Sequence, residues 1–408
     1  MKSRKKIHEN IHLYLACTIA FTMPFARLTP VFIALLFLNW LIEGRFSEKW
    51  ENLRKSKFLW FMLLFYLLHV IGLIHTEDMK AGAFDLQVKL SLFLFPLILG
   101  TVPLGLRKFA FIGLSFIGGC VFVSLLLIFR SSYIWFTLGE NHFFYQAFSI
   151  LMHPSYFAMY LTTALLICLY LYGRSFFFRS WIVLVPVFIL IGITEVLLSS
   201  KMGLFVLAFI GVYGVIRLIL IRKKYLLGLI GLLGGTLAFI LIVTQMPTVS
   251  ARMEQLFKTL NKKEISYDNN ESSAVRILIW KASNQIVANN LLIGVGTGDV
   301  KESLKEKYQE LGMRGAYLKG LNAHNAYYQT TIAIGVPALI LFILSLFTPL
   351  WMSWRKKQWL YALFILSFFI NCLVESMLET QAGVIYFGFF SCLFWSHFGL
   401  SSEETEKA

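Results

Sequence analysis

Apolar runs of roughly 17 to 25 residues, the length at which a helix crosses about 30 Å of hydrocarbon, alternate with short polar connections along most of this chain. A membrane barrel would instead show roughly ten-residue segments of alternating polarity. The pattern predicts an all-α, polytopic helical membrane protein. Hydropathy places spans at 11–24, 30–42, 58–74, 83–100, 109–129, 154–172, 181–198, 203–220, 225–244, 326–351, 359–374 and 382–399, about twelve transmembrane helices, the first two short. The organisation expected is a bundle of about nine spans over 1–244, one long loop over 245–325, three spans over 326–399 and a solvated acidic tail over 400–408. The first apolar stretch has no small-residue cleavage site behind it and reads as a span, not a removed leader.

The long loop is the one extended polar interval. Within it SSAVRILIWKASNQIVANN reads as an amphipathic helix, because Val275, Ile279, Ile286 and Val287 recur near helical spacing, and it is expected on the outer surface of the bundle. The glycine-rich LLIGVGTGD ends that helix, and KESLKEKYQELG forms a second, polar one. The loop closes on LNAHNAYYQTTIAIG, which delivers His324 and Asn325 to the mouth of the next apolar span.

Composition agrees: 58% of residues are hydrophobic and 14% charged, with a mean hydropathy of +0.70. The formal charge of +15 could suggest nucleic acid, but the basic residues lie in short clusters between apolar spans. With twelve spans, 20 Lys and Arg fall in the segments on the side of the termini and 4 in the short segments opposite. The charge therefore sets orientation and is no nucleic-acid footprint: the termini are expected in the cytoplasm and the 245–325 loop outside it. Cys17, Cys120, Cys168, Cys372 and Cys392 all lie in apolar spans, where none is placed for a disulfide or a zinc site in the loop.

Few polar residues stand where chemistry needs them. Histidine titrates near neutrality, so His324 can take a proton from a hydroxyl and release it later; the plain alternative is a cap for the following helix. Asn325 can orient the imidazole or cap the span. Arg276, on a helix with an apolar opposite face, offers a planar donor fork suited to phosphate oxygens, or a contact to lipid headgroups. Trp280, one turn on, reads as an interfacial anchor or a sugar-stacking ring.

Lys201, in LLSSKMG, is a cation kept on the charge-poor side, which suits an anionic ligand. Lys89 sits about two turns inside the fourth span, where a charge is costly and functional by default, unless it snorkels to the interface. Glu375 and Glu379 are one helical turn apart at the outer end of the eleventh span, so both are expected to face the same way and either pair with the outer basic residues or be solvated. His153 is followed by Pro154 and reads as an ordinary helix start. GVGTGD lacks the GxGxxG spacing and follows no strand, and no P-loop, HExxH, GxSxG or cysteine–histidine pattern occurs, so no metal, nucleotide or other cofactor is implied.

His324-Asn325, nine residues and then Gly335 resembles the H-[N/S/Q]-x9-G signature of the O-antigen ligase and polymerase superfamily, membrane proteins with a long periplasmic loop before that histidine. Arg276 and Trp280 in R-x-x-x-W, the GVGTGD turn and the SSKMG turn stand in matching order from about residue 150 onward. The resemblance implies a metal-independent glycosyltransferase at the outer face of the inner membrane. It would move a glycan from undecaprenyl diphosphate to a hydroxyl of lipid A core or another surface acceptor. It further implies that His324 is the base and that Arg276 and Lys201 hold the diphosphate. Lysine stands at 201 where ligases usually show arginine, and the glycine-threonine pair that often follows the signature glycine is absent. A polymerase joining lipid-linked repeats is the alternative in the same class. A secondary transporter is the alternative from another, though no inverted repeat or paired interrupted helices support it.

Overall fold

Helices are the only regular elements among the described residues, as expected where a backbone has no water to bond with. The computed structural model describes residues 2–25, 28–174, 181–221, 223–245, 250–251, 254–255 and 272–400. The expected acidic tail and the 256–271 stretch of the long loop lie outside these. In chain order the helices are α1 (Lys2–Thr22), α2 (Thr29–Glu43), α3 (Phe46–Lys55), α4 (Lys57–Ile71), α5 (Met79–Lys89), α6 (Ser91–Ile98), α7 (Leu106–Leu138), α8 (Tyr145–Phe148) and α9 (Pro154–Gly173). There follow α10 (Trp181–Leu198), α11 (Lys201–Ile216), α12 (Tyr225–Gln245), α13 (Ser272–Asn289), α14 (Val300–Glu310), α15 (Arg314–Lys319), α16 (Ala326–Arg355), α17 (Trp359–Cys372) and α18 (Gln381–Phe394).

The expectation of about twelve spans is overturned. Among the described residues six helical stretches are long and apolar enough to cross a membrane: Lys57–His75, Met79–Ile98, Leu106–Leu138, Pro154–Gly173, Ala326–Arg355 and Gln381–Leu400. Counting α2 and α3 as one bent span gives seven. The reasons are local. α2 and α3 meet at 113°, where Gly44 and Arg45 both take positive φ. α1 opens with the polar KSRKKIHEN and keeps too little apolar length. Counting only residues whose side chains are described, the apolar stretches at Ile182–Leu198, Lys201–Ile216, Tyr225–Leu237 and Trp359–Cys372 are 10–17 residues long.

α9 and α18 form the centre, buried along almost their whole length. Tyr160 stacks on Tyr386 with centroids 5.0 Å apart, and Phe368 on Phe387 at 4.4 Å. Buried tyrosines need partners for their hydroxyls, and these find backbone: Tyr160 donates to Ala382 O at 2.7 Å and Tyr361 to Ser391 O at 2.8 Å.

Contacts gather the connections at two ends of the bundle. At one, Asn52 donates to Thr101 O (2.9 Å), Lys108 pairs with Glu9 (3.1 Å) and the Tyr170 hydroxyl meets His397 (3.0 Å). At the other, the Thr297 hydroxyl donates to His69 O (2.6 Å) and the Asn325 amide to Leu373 O (2.9 Å). The second end carries the long loop and the candidate residues.

The loop is stapled there by an exchange of backbone bonds. Gly335 breaks α16 at φ 75° and ψ −172°. Pro337 has no N–H for Ala333 O, which accepts from Gly296 N instead (3.0 Å); Val295 N bonds Ile332 O (2.8 Å) and Val336 N bonds Leu291 O (2.9 Å). A Cβ at Gly335 would stand 2.3 Å from Leu292 O, and one at Gly294 would stand 2.4 Å from Ala333 backbone, so glycine alone permits this approach. Beyond it the Asp299 carboxylate accepts from Glu77 N (2.9 Å) and Asp78 N (2.8 Å). GVGTGD is thus a clamp between the loop, α16 and the 72–79 turn.

Candidate active site

Asn325 starts α16 by capping it: its side-chain oxygen accepts from Tyr327 N (2.9 Å) and Tyr328 N (3.0 Å). Its N–H donates to Ser376 Oγ at 3.2 Å, which ties the helix start to the 373–380 connection. Of the two sequence readings for Asn325, the cap is the one its contacts display.

His324 precedes it at φ 45°, the left-handed region that a non-glycine residue enters only when its surroundings enforce it. Asn322 Oδ1 accepts the His324 N–H at 3.0 Å. Ala323, just before, is clamped on both sides: its N–H donates to Gln329 Oε1 (3.0 Å), and its carbonyl accepts the Trp280 indole N–H (3.1 Å). Trp280 therefore ties α13 to the histidine segment.

The imidazole meets Glu375, with Nδ1 3.2 Å from Oε2. The other carboxylate oxygen receives the guanidinium of Arg276. One carboxylate, its side chain 9% exposed, thus joins the two sharpest candidates in the sequence, 48 positions apart. Burial by itself raises the Glu375 carboxyl, but the His324 hydrogen bond and the charges of Arg276, His324 and His153 outweigh it and hold the group below the ordinary carboxylate range. A charged Glu375 accepts from Nδ1–H, and in the neutral imidazole Nε2 then carries the lone pair; Nε2 makes no hydrogen bond among the described residues.

α13 carries Arg276 and, at Ser273, meets Lys201. Its apolar face is buried through Ala274, Leu278, Ile279, Ala282 and Ile286, so the helix is packed into the fold against α14 and α16, not laid on the outer surface as expected. Ser273, Arg276 and Trp280 follow one another at helical spacing. Lys201, the first residue of α11, donates to Ser273 Oγ at 2.9 Å, which sets its ammonium one turn from Arg276. The Arg276 Nε is buried and has no hydrogen-bond partner among the described residues, so its fork is only partly used by Glu375.

The other candidates are held by different partners. Lys89 is 3% exposed and is held between Asp85 and Glu379, with Glu379 at 2.8 Å. Two carboxylates already neutralise it, so its evident work is to fix the 373–380 connection. Because α17 stops at Cys372, Glu375 and Glu379 do not share a helical face: one turns to His324 and the other to Lys89. His153 caps α9, accepting from Ser155 N at 3.4 Å.

Sequence reasoning passed over Ser273 and Glu195. Glu195 is fully buried on α10, accepts from Thr162 at 3.2 Å, and has one oxygen without a partner among the described residues. An acidic residue inside the apolar ILIGITEVLL was the available signal. Among the described residues no group of three or more His, Cys, Asp or Glu is arranged to hold a metal ion.

Residues 186–343 match the family model described as O-Antigen ligase. A domain of that family is therefore present over part of this membrane protein, which points to that superfamily. The matched stretch holds Lys201, Arg276, Trp280, His324 and Gly335, whereas Lys89, Glu375 and Glu379 lie outside it. A comparison with curated proteins found no match.

Proposed function

We propose that the chain transfers a glycan from an undecaprenyl diphosphate carrier to an acceptor hydroxyl, at the outer face of the inner membrane. The observation that carries this reading is the bridge from Arg276 through Glu375 to His324, which sets a phosphate-binding fork beside a histidine with an open Nε2.

In the reaction, the acceptor oxygen attacks the anomeric carbon while His324 Nε2 takes its proton. The bond from that carbon to the diphosphate oxygen breaks, and the diphosphate leaves with the electron pair. Arg276 and Lys201 meet the charge that develops on it, at a membrane boundary where little water competes. Because these two cations neutralise the leaving group, the reading is of a metal-independent transferase. Glu375 stays ionised, holds the imidazole tautomer and balances the imidazolium that forms. Charge supports the sidedness: among the short connections, the basic clusters at 2–6, 45–57 and 107–108 gather at the opposite end of the bundle, the end that the positive-inside rule assigns to the cytoplasm.

A transfer assay on the purified chain, with synthetic glycan on a lipid diphosphate and with chelator present, tests this. His324→Ala is expected to slow turnover by roughly 10² to 10⁴ with donor binding kept, because a base acts mainly in the transition state. Arg276→Ala should weaken donor binding as well, and Arg276→Lys should restore it only in part, since the fork is lost. Full activity of His324→Ala, or complete loss of activity with chelator, refutes the mechanism.

A further inference from the structure

α12 stands at the edge of the fold. Its described side chains are exposed apart from Gly228, and its main packing is against α11 and the 217–221 turn. Between α11 and α12 lies an apolar groove of about 400 Å³, lined on one wall by Leu204, Ala208, Gly211 and Val215 and on the other by Gly231 and Gly235. Glycine deepens it: neither Gly211 nor Gly235 has an atom within 4 Å of where a Cβ would stand.

Residues 201, 204, 208, 211 and 215 are spaced three and four apart and share one face of α11. Lys201 therefore sits at the head of the same stripe that walls the groove, one turn above Leu204. From Leu204 to Val215 the groove runs about 16 Å along the helix, at 1.5 Å per residue. Following it upward, the order of chemistry is an apolar slot, the Lys201 ammonium at Ser273, the Arg276 fork, then Glu375 and His324. A glycan on a lipid diphosphate has that order: hydrocarbon, two phosphates, reacting carbon.

We propose that the α11–α12 groove holds the isoprenoid tail of the lipid diphosphate donor, next to its diphosphate, and thereby aims the anomeric carbon at His324. This rests on the glycosyl-transfer reading. The charge at the head of the groove selects the occupant: a phospholipid brings one phosphate to the interface, whereas two cations on successive turns suit two linked phosphates.

Two measurements on the full chain in nanodiscs test it. In the transfer assay, KM is compared for donors with a long polyprenyl chain and with a two-isoprene chain. Gly211→Leu and Gly235→Leu add apolar bulk to the groove from positions where a Cβ meets no neighbour, and each should raise the long-to-short KM ratio at least tenfold, the equivalent of about 1.4 kcal/mol or two methylenes denied contact. An unchanged ratio in both variants overturns the proposal, and misfolding cannot mimic the expected result because it lowers transfer from both donors together. The second measurement needs no turnover: a diazirine-bearing polyprenyl diphosphate should label peptides within 204–236, competed by unlabelled polyprenyl diphosphate and not by phospholipid. Labelling elsewhere, or competition by phospholipid alone, refutes the groove. Groove labelling without any transfer by the native protein sinks the enzymatic reading and leaves the lipid site standing.

Discussion

Glu375→Gln is the most informative single change, because one oxygen of Glu375 meets the imidazole and the other meets the guanidinium. Glutamine keeps the volume and a carbonyl for one of these contacts, but it removes the charge and sets an N–H₂ against a donor. Breaking a fully buried ion pair costs about 3–5 kcal/mol. Arg276 and His324 retain 22% and 23% side-chain exposure, and water can partly replace the lost partner. The expected destabilisation is therefore nearer the cost of unsatisfied polar groups, about 1–3 kcal/mol.

The kinetic effect follows from tautomer and charge. Loss of the orienting carboxylate costs about 10⁴ in a fully buried Ser-His-Asp triad, so at a partly exposed histidine roughly 10² in turnover is expected. The native carboxyl titrates below the ordinary range, so between its folded and unfolded pKa values the unfolded chain binds more protons. The contribution of Glu375 to stability is thus complete above the ordinary carboxylate range and is lost as pH falls through its lowered value. The glutamine variant should lack that acid-side loss of stability. Rates and thermal melts across pH, on native protein and the variant, provide the check. Native turnover in Glu375→Gln, with an acid-side loss of stability unchanged from native, would refute the orienting role.

Gly335→Ala should destabilise the fold by more than about 3 kcal/mol, since it meets both a positive φ and a backbone oxygen 2.3 Å from its Cβ; a melt within 2 °C of native would contradict the clamp. With the native cysteines removed, Lys301→Cys is expected to react with an impermeant thiol reagent on cells with a permeable outer membrane, and Trp50→Cys only after inner-membrane lysis. The reverse pattern would overturn the orientation and the mechanism with it.

Local chemistry was legible and distance was not. The α13 and α14 helices, the glycine turn between them and the cap at Asn325 follow from spacing and propensity within a few residues, and each appears within a residue or two of expectation. Hydropathy windows measured apolar length but not helix length: α2 and α17 are helices of 15 and 14 residues, and α17 ends early, at Cys372. That same early end hid the role of Glu375. On a continued helix it would lie beside Glu379; on an irregular connection, pinned by Lys89 at Glu379 and by Ser376 at Asn325, it turns to His324 instead.

The clamp explains why a glycine eleven residues after the histidine belongs with it although it touches no candidate side chain. Arg276 and His324 lie on different elements, and their separation is set by how α13 returns to α16. A charge contact could slide by an ångström or more, but three helix-break groups exchanged with loop backbone fix one register, because any shift would orphan Ala333 O, whose usual partner position is proline. Transition-state stabilisation needs donors placed to within about half an ångström. Gly335 and Pro337 therefore supply the geometry on which the Arg276, Glu375 and His324 arrangement depends, and loosening the clamp is expected to act on turnover before it acts on the lipid groove, which α11 and α12 form on their own.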